Sequence, residues 1–245
     1  WIVAWSLTLA NAVSSPMEPV PSKPSKAARA DEVIAAYYDA VLVHSDPKVT
    51  KLETSWPVSA ALEEKLRYTG FVAPSPPPPH PENAGSGEII VSAGGGSVGT
   101  AIFETAAKAA HLMPMHRWRI LVGGADTEER VAKLRSLNTP ALIEPARPAF
   151  RQMLGNATAS VSMCGYNTVM DLLQTGTPAV LVPFDAGGEV EQGLRANSLR
   201  DQPGIEVLRS ADLTPETLHA HVEKLLTAPQ RDTISLNFDG AEQTV

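Results

Sequence analysis

From residue 88 onward, short apolar runs alternate with longer stretches in which apolar residues recur at helical spacing. This alternation is typical of a parallel sheet that is covered by helices on both faces. The pattern therefore predicts an α/β domain. Its six expected strands span residues 88–92, 119–122, 141–143, 159–162, 179–182 and 206–208. Its expected helices span residues 98–112, 127–137, 148–154, 168–174, 189–200 and 215–226.

The first 81 residues predict fewer elements. Prolines concentrate in residues 14–24 and 74–81, both of which resist helix and sheet, and the second stretch is interpreted as a linker. The apolar run at residues 1–10 is interpreted as a buried strand or helix, because it has no basic leader and is too short to span a bilayer. Strands are also expected at 38–44 and 67–72, and a helix at 59–66. We therefore expect two domains, a fragment with its linker at 1–81 and an α/β domain at 82–245.

Composition and charge exclude several functions. The chain has 245 residues, 43% of them hydrophobic, which is enough to bury a core, and its net charge of -7 disfavours binding to nucleic acid. Cys164 is the only cysteine, so no intramolecular disulfide is expected, and a reducing, cytoplasmic location is predicted. His219 and His221 lie two apart on an expected helix and would face apart, so no metal site is predicted.

A glycine-rich turn follows the first strand of the α/β domain. It contains Gly94, Gly95, Gly96 and Ser97, and an expected helix begins directly after it. Glycines allow the backbone to approach an anion closely, and the N–H groups at a helix start donate to phosphate oxygens. The turn therefore predicts a diphosphate site.

Two other interpretations of this turn remain open. Gly94, Gly96 and Gly99 have the spacing of a dinucleotide-binding fingerprint, which would make the protein an NAD-dependent oxidoreductase. That fingerprint requires an acidic residue at the end of the next strand, and Asp126 comes somewhat late for this role. The turn could also be purely structural.

A second strand-to-helix turn contains Cys164, Gly165, Asn167 and Thr168 and is followed by Asp171. Ligands of open parallel sheets lie beyond the carboxyl ends of the strands, so this turn and the glycine-rich one are expected to converge on one ligand. Asp171 is placed to accept hydrogen bonds from a ribose diol, with little contribution to stability. The alternative is that Asp171 only complements the helix dipole.

A third turn, after the strand at 179–182, passes through Phe184 into a helix with several polar side chains. Glu189 and Gln192 are three residues apart and would share one helix face, where they could hold sugar hydroxyls, whereas Glu191 would point elsewhere. The alternative is a solvated, charged helix start.

Together, these segments resemble the C-terminal domain of glycosyltransferase family 28, a GT-B family, over residues 88–226. Residues 94–99 match the family's diphosphate loop, and residues 164–171 match its small-Gly-x-x-Thr-Val-x-acid segment. Residues 176–184 and 189–192 resemble its Gly-x-Pro strand and its sugar-binding helix. The resemblance implies a Rossmann-like GT-B C-terminal domain, preceded by the remnant of a second Rossmann-like domain on the acceptor side.

The resemblance also implies roles for individual residues. Asp171 would bind the ribose, Gln192 would contact the sugar, and Arg147 lies near the position whose backbone reads the base. Cys164 stands where serine is usual, and Glu191 where another glutamine is common. The predicted nucleotide-sugar-binding residues are Gly94, Gly95, Gly96, Ser97, Gly123, Arg147, Cys164, Gly165, Asn167, Thr168, Asp171, Phe184, Glu189, Glu191 and Gln192.

The function implied by this resemblance is transfer of a sugar, with inversion, from a nucleoside diphosphate donor to an acceptor hydroxyl. UDP is the expected nucleotide, and neither a metal nor another cofactor is expected. The acceptor stays open between a small molecule, a lipid-linked molecule and a glycan, and no catalytic residue is identified. The chain looks incomplete for catalysis, so a donor-binding half-enzyme subunit that needs a partner is an alternative. No transmembrane segment is expected.

Overall fold

The computed structural model describes residues 2–5, 24–94, 98–185, 190–228 and 236–244. The strands in these ranges are β1 (Ile2–Trp5), β2 (Ala40–Val43), β3 (Leu66–Tyr68), β4 (Glu88–Ser92), β5 (Arg117–Val122), β6 (Leu142–Pro145), β7 (Ala159–Met163), β8 (Ala179–Val182) and β9 (Ile205–Val207). The helices are α1 (Pro24–Tyr37), α2 (Ala60–Lys65), α3 (Thr100–Ala109), α4 (Thr127–Arg135), α5 (Phe150–Asn156), α6 (Tyr166–Thr175), α7 (Glu191–Leu199) and α8 (Pro215–Thr227). None of these helices is long and apolar enough to cross a membrane.

The chain divides into two compact units. Unit 1 comprises the described residues of Trp1–Pro74, Asp185–Leu199 and Ser235–Val245, and unit 2 comprises those of Ser75–Phe184 and Arg200–Ile234. The predicted domain boundary between residues 81 and 82 depends on the proline-rich stretch and stays a prediction.

Unit 1 contains a three-stranded parallel sheet in the order β1-β2-β3. Its core packs Val41 and Val43 of β2 against Ile34 of α1 and Leu62 of α2. Helix α1 was not predicted, and its first residue belongs to the stretch at 14–24 that was expected to resist helix and sheet. Pro24 is the first residue of α1, a position where the missing N–H group would have no helical partner.

Two predicted strands of unit 1 are longer than the observed ones. The strand expected at 38–44 is limited to β2, and the strand expected at 67–72 is replaced by the shorter β3. The chain leaves β3 through Gly70, whose φ of 88° lies in the left-handed region and is incompatible with a continuing strand.

Unit 2 contains a six-stranded parallel sheet in the order β6-β5-β4-β7-β8-β9. The predicted α/β class and the six strands are confirmed. The ends of β4 and β8 are as predicted, and the other four strands differ by one or two residues at an end. Each of these strands is joined to its successor through a helix or a longer connection, as a parallel sheet requires.

Both faces of the unit 2 sheet are buried. On one face, Val91 of β4 and Val161 of β7 belong to a large apolar core to which α3 and α8 contribute. On the other face, Ile90 and Leu121 pack with Met153 of α5. Burial on both faces explains why these strands appear in the sequence as continuous apolar runs.

Local residues determine where the helices of unit 2 begin and end. Thr214 caps α8 by accepting a hydrogen bond from the N–H of Thr217, and Gly176 ends α6 in the left-handed conformation, as its position predicted. The helix predicted at 98–112 begins two residues later, at Thr100, because Gly99 has a φ of 96° and cannot be part of a right-handed helix.

Candidate functional site

The two turns that the sequence singled out leave the same edge of the unit 2 sheet. Strands β4 and β7 are adjacent and parallel, and Ser92 of β4 pairs in register with Ser162 of β7. Gly94 and Gly165 therefore both lie just beyond the carboxyl ends of neighbouring strands. The connections diverge here. The chain passes from β4 to β5 on one side of β4, whereas β7 lies on the other side of β4 and is followed by β8, farther away on that side. Open parallel sheets bind their ligands at such a switch point.

The turn after β4 depends on glycine for its backbone conformation at Gly94 and also for space at Gly99. Gly94 is exposed and has a φ of 73°, and a Cβ there would meet no atom within 4 Å. At Gly99, a Cβ would come within 2.1 Å of the Cβ of Ala93. Gly99 precedes the first turn of α3 and has no side chain with which to cap it. The predicted site residues Gly95, Gly96 and Ser97 lie outside the described residues.

The turn after β7 has no such steric requirement. Gly165 has a φ of -67°, and a Cβ there would meet no atom closer than Thr168 Oγ1, at 4.0 Å. Gly165 precedes α6 without providing a side-chain cap. Cys164 is fully buried, whereas Asn167 is exposed and Thr168 is half-buried. The turn therefore offers a helix N-terminus at the sheet edge, and the Cys164 side chain does not face solvent.

Asp171 is anchored by an arginine from the preceding helix. Its Oδ1 accepts a hydrogen bond of 2.5 Å from Nε of Arg151 in α5, and its exposed fraction is 9%. Arg151 also donates to Gln174 Oε1, at 2.9 Å. A carboxylate complements the helix dipole most strongly in the first turn of a helix. Asp171 is the sixth residue of α6 and lies beyond that turn. The helix-dipole alternative is therefore disfavoured, and the expectation that Asp171 contributes little to stability stays a prediction, against which its ion pair with Arg151 argues.

Three further predicted residues follow neighbouring strands at the same sheet edge. Gly123 follows β5 and is buried, Arg147 follows β6 and is exposed, and Phe184 follows β8 and packs against the large apolar core of unit 2. The backbone before Arg147 is fixed by the hydrogen bond from the Ala146 N–H to the Val122 carbonyl, at 2.9 Å.

The Arg147 side chain belongs to a charged network across β4, β5 and β6. It donates to Glu144 at 2.6 Å, and Glu144 also accepts from Arg119, which binds Glu88 through both Nε and a terminal nitrogen. The hydrogen bonds to Glu88 are the main cause of a raised pKa at Arg119. Glu144 thus accepts hydrogen bonds from both arginines, and the predicted role of the Arg147 backbone in reading a base stays a prediction.

Two predicted residues belong to unit 1. Glu191 and Gln192 lie in the first turn of α7, and both are half-buried. Glu191 lines a shallow cavity within unit 1, on the α7 face that also carries Leu194, Arg195 and Ser198. The remaining lining residues are Thr50, Thr54 and Ser55. Glu189 lies outside the described residues, so its predicted helix face with Gln192 stays a prediction.

Sequence reasoning missed several residues that support the site. Arg151 lies 20 positions before its partner Asp171, and Arg130 binds the loop carbonyl of Gly123, at 2.5 Å. No local sequence pattern predicts such contacts, because each depends on how helices pack on the sheet. Buried serines also connect β4 and β7: the hydroxyls of Ser92 and Ser162 are 3.2 Å apart, and Ser162 lies 2.7 Å from the hydroxyl of Ser160.

Two histidines of α8 form separate pairs with glutamates. His221 Nδ1 lies 3.1 Å from Glu206, and His219 lies 3.8 Å from Glu223. Within the described part of the chain, no group of three or more His, Cys, Asp or Glu side chains has the arrangement of a metal site.

The profile of the glycosyltransferase family 28 C-terminal domain matches residues 90–239, which is more than half of the chain. The chain belongs to this family. The strand order of unit 2 is also that of dinucleotide-binding domains, so the fold alone would not separate the two interpretations of the glycine-rich turn. The family 28 match decides between them, and the oxidoreductase alternative has no support.

Relatives of this family 28 chain include the UDP-N-acetylglucosamine–N-acetylmuramyl-(pentapeptide) pyrophosphoryl-undecaprenol N-acetylglucosamine transferases of Brucella canis and Brucella anthropi. They are 32% and 33% identical, respectively, over 143 residues. Each alignment covers 56% of this chain and 38% of the relative. The chain thus spans about two fifths of the length of these relatives.

Solved structures show the same fold. MurG of Acinetobacter baumannii matches with a TM-score of 0.58 and 18% identity, over 80% of this chain and 55% of that chain. The calicheamicin glycosyltransferase CalG4 matches with a TM-score of 0.56 and 19% identity, over 86% of this chain and 53% of that chain. These similarities confirm that the family 28 chain has a GT-B glycosyltransferase fold.

Proposed function

We propose that the chain is the donor-binding part of a glycosyltransferase, which moves a sugar from a nucleoside diphosphate to an acceptor hydroxyl. One observation carries this proposal: in a family 28 domain, the turns after β4 and β7 leave the same sheet edge side by side. Two helix N-termini at that edge, those of α3 and α6, suit the negative charge of a diphosphate. The enzymatic activity of the family supports the transfer reaction.

The proposed donor is a UDP-sugar. The names of the Brucella relatives specify UDP-N-acetylglucosamine, which favours UDP for this chain as well. In this proposal, Asp171 accepts hydrogen bonds from the ribose, and Arg151 keeps its carboxylate in position. Gln192 of α7 contacts the sugar.

The proposed reaction inverts the anomeric centre and uses no metal. The acceptor hydroxyl oxygen forms a bond to the anomeric carbon and loses its proton to a general base, while the bond to the diphosphate oxygen breaks and UDP leaves with the electron pair. Backbone N–H groups and helix dipoles at the sheet edge would stabilise the charge that develops on UDP. Full activity in the presence of a chelator is therefore expected.

The acceptor and the complete machinery are further parts of the proposal. The relatives are named for a lipid-linked acceptor, pyrophosphoryl-undecaprenol, and a lipid-linked acceptor is one candidate for this protein. A donor-binding subunit that works with a separate acceptor-binding partner is the second candidate function. The length of the encoded protein distinguishes a single-chain enzyme from such a subunit. A cytoplasmic location is proposed from the presence of a single cysteine.

Calorimetric titration with UDP, UDP-N-acetylglucosamine and NAD tests the donor assignment. We expect binding of both uridine nucleotides and none of NAD. Binding of NAD without binding of UDP would refute the proposal.

A further inference from the structure

Arg130 connects the two loops that border the proposed diphosphate site on the β5 side. It lies in the first turn of α4, and one terminal nitrogen donates to the carbonyl of Gly123, after β5, at 2.5 Å. The other donates to the carbonyl of Val98, in the glycine-rich turn after β4, at 3.3 Å. A single guanidinium thus bridges the loops that follow two adjacent strands.

An aromatic ring of α3 fixes the guanidinium from another side. Cζ of Arg130 lies 5.5 Å from the centre of the Phe103 ring, within the range of a cation–π interaction. Phe103 is in the first turn of α3 and is 1% exposed, so the ring cannot move away without disturbing the core. Arg130 is therefore held beside the N-terminus of α3.

Arg130 forms no ion pair within the part of the chain that the structure describes, although Glu128 and Glu129 lie in the same first turn of α4. In the described ranges, no carboxylate oxygen lies within 4.0 Å of its guanidinium nitrogens, whereas Arg147 pairs with Glu144 and Arg151 pairs with Asp171. Carbonyl oxygens accept its hydrogen bonds but carry no net charge. The position thus combines a full positive charge with the positive end of a helix dipole.

We propose that Arg130 is a positioning residue of the diphosphate site, which holds the Val98 carbonyl at the end of the glycine-rich turn and adds positive charge next to α3. This inference rests on the proposed function and extends it, because it assigns selectivity for a diphosphate over a monophosphate to one side chain. Loss of Arg130 should weaken binding in proportion to the charge of the ligand.

Arg135 provides a matched control on the same helix. Its Nε and a terminal nitrogen donate to the carbonyl of Ile143, at 3.1 and 2.7 Å, so it also fastens α4 to a backbone carbonyl. Ile143 lies in β6 and is not part of the glycine-rich turn. Arg130→Met and Arg135→Met should therefore lower stability to a similar extent, and only the first should change anion binding.

The test measures the affinities of the full chain and its variants for UDP, UMP and inorganic pyrophosphate, with thermal unfolding measured in parallel. Arg130→Met should weaken the binding of UDP and pyrophosphate about tenfold or more and the binding of UMP by less, since the Val98 carbonyl loses its anchor and the positive charge beside α3 is lost. Arg130→Lys keeps the charge and should recover part of the UDP affinity. Arg135→Met should bind all three ligands like the parent chain.

The inference is overturned if Arg130→Met binds UDP and pyrophosphate like the parent, or if Arg135→Met loses as much affinity. It is also overturned if Arg130→Met weakens the binding of UMP as much as the binding of UDP. A parent chain that binds pyrophosphate but not UDP would refute the nucleotide assignment while still testing Arg130. A parent chain that binds neither ligand would refute both.

Discussion

The turns after β4 and β7 occupy equivalent places at one sheet edge, yet they are built differently. The turn after β4 depends on backbone conformation: Gly99 has a positive φ, and Arg130 binds the Val98 carbonyl. The turn after β7 needs no glycine for its backbone, and the notable side chain beyond it is Asp171, held by Arg151. The first turn is thus suited to a charged group that backbone N–H donors can hold, and the second combines a helix N-terminus with a placed carboxylate. This difference fits a ligand with a phosphate part and a hydroxyl part.

Substitution of the two glycines should give the largest contrast. Gly99→Ala places a Cβ at 2.1 Å from the Ala93 Cβ and strains a φ of 96°, so the free energy of unfolding should fall by about 2–4 kcal/mol. In Gly165→Ala, the added Cβ meets no atom closer than 4.0 Å, so the free energy of unfolding should change by less than about 1 kcal/mol. Urea unfolding of both variants measures the difference, and equal losses would contradict the described asymmetry of the turns.

Asp171→Ala should lower both stability and nucleotide affinity. The free energy of unfolding should fall by about 1–3 kcal/mol because Arg151 loses its charged partner, and UDP should bind at least tenfold more weakly. Denaturant unfolding and calorimetry measure the two effects.

Thr177→Val is the control for this second prediction. It removes a buried hydrogen bond of 2.7 Å to the Leu154 carbonyl, which connects the C-terminal ends of α5 and α6, away from the carboxyl edge of the sheet. This variant should lose stability and keep its UDP affinity. If Asp171→Ala binds UDP like the parent chain, Asp171 has only a structural role.

Ser162→Ala should give the smallest effect, because it only loosens the contact between the strands that carry the two turns. Ser162 contacts the hydroxyls of Ser92 and Ser160 in a buried position, and its loss should lower the free energy of unfolding by about 1 kcal/mol. UDP affinity should remain within about twofold, since the backbone pairing of β4 and β7 is unchanged. A larger loss of affinity would mean that the hydroxyl contacts position the turns.

Much of the unit 2 fold could be predicted because both sheet faces are buried, which makes each strand a visible apolar run. The meeting of Gly94 and Gly165 at one edge followed from the same pattern, since carboxyl ends of parallel strands share an edge. The contacts of Arg130 and Arg151 could not be predicted, because they join helices and loops that are distant in sequence. Glu191 was predicted to belong to the donor site, and its position in unit 1, lining a cavity with Leu194, does not test that role.

A crystal structure of the chain with UDP would test the central claim most directly. The account predicts that the diphosphate oxygens lie about 3 Å from backbone N–H groups of both the turn after β4 and the start of α6, with the ribose at Asp171. A diphosphate that contacts only one of these turns, or that binds away from the carboxyl edge of the unit 2 sheet, would contradict it.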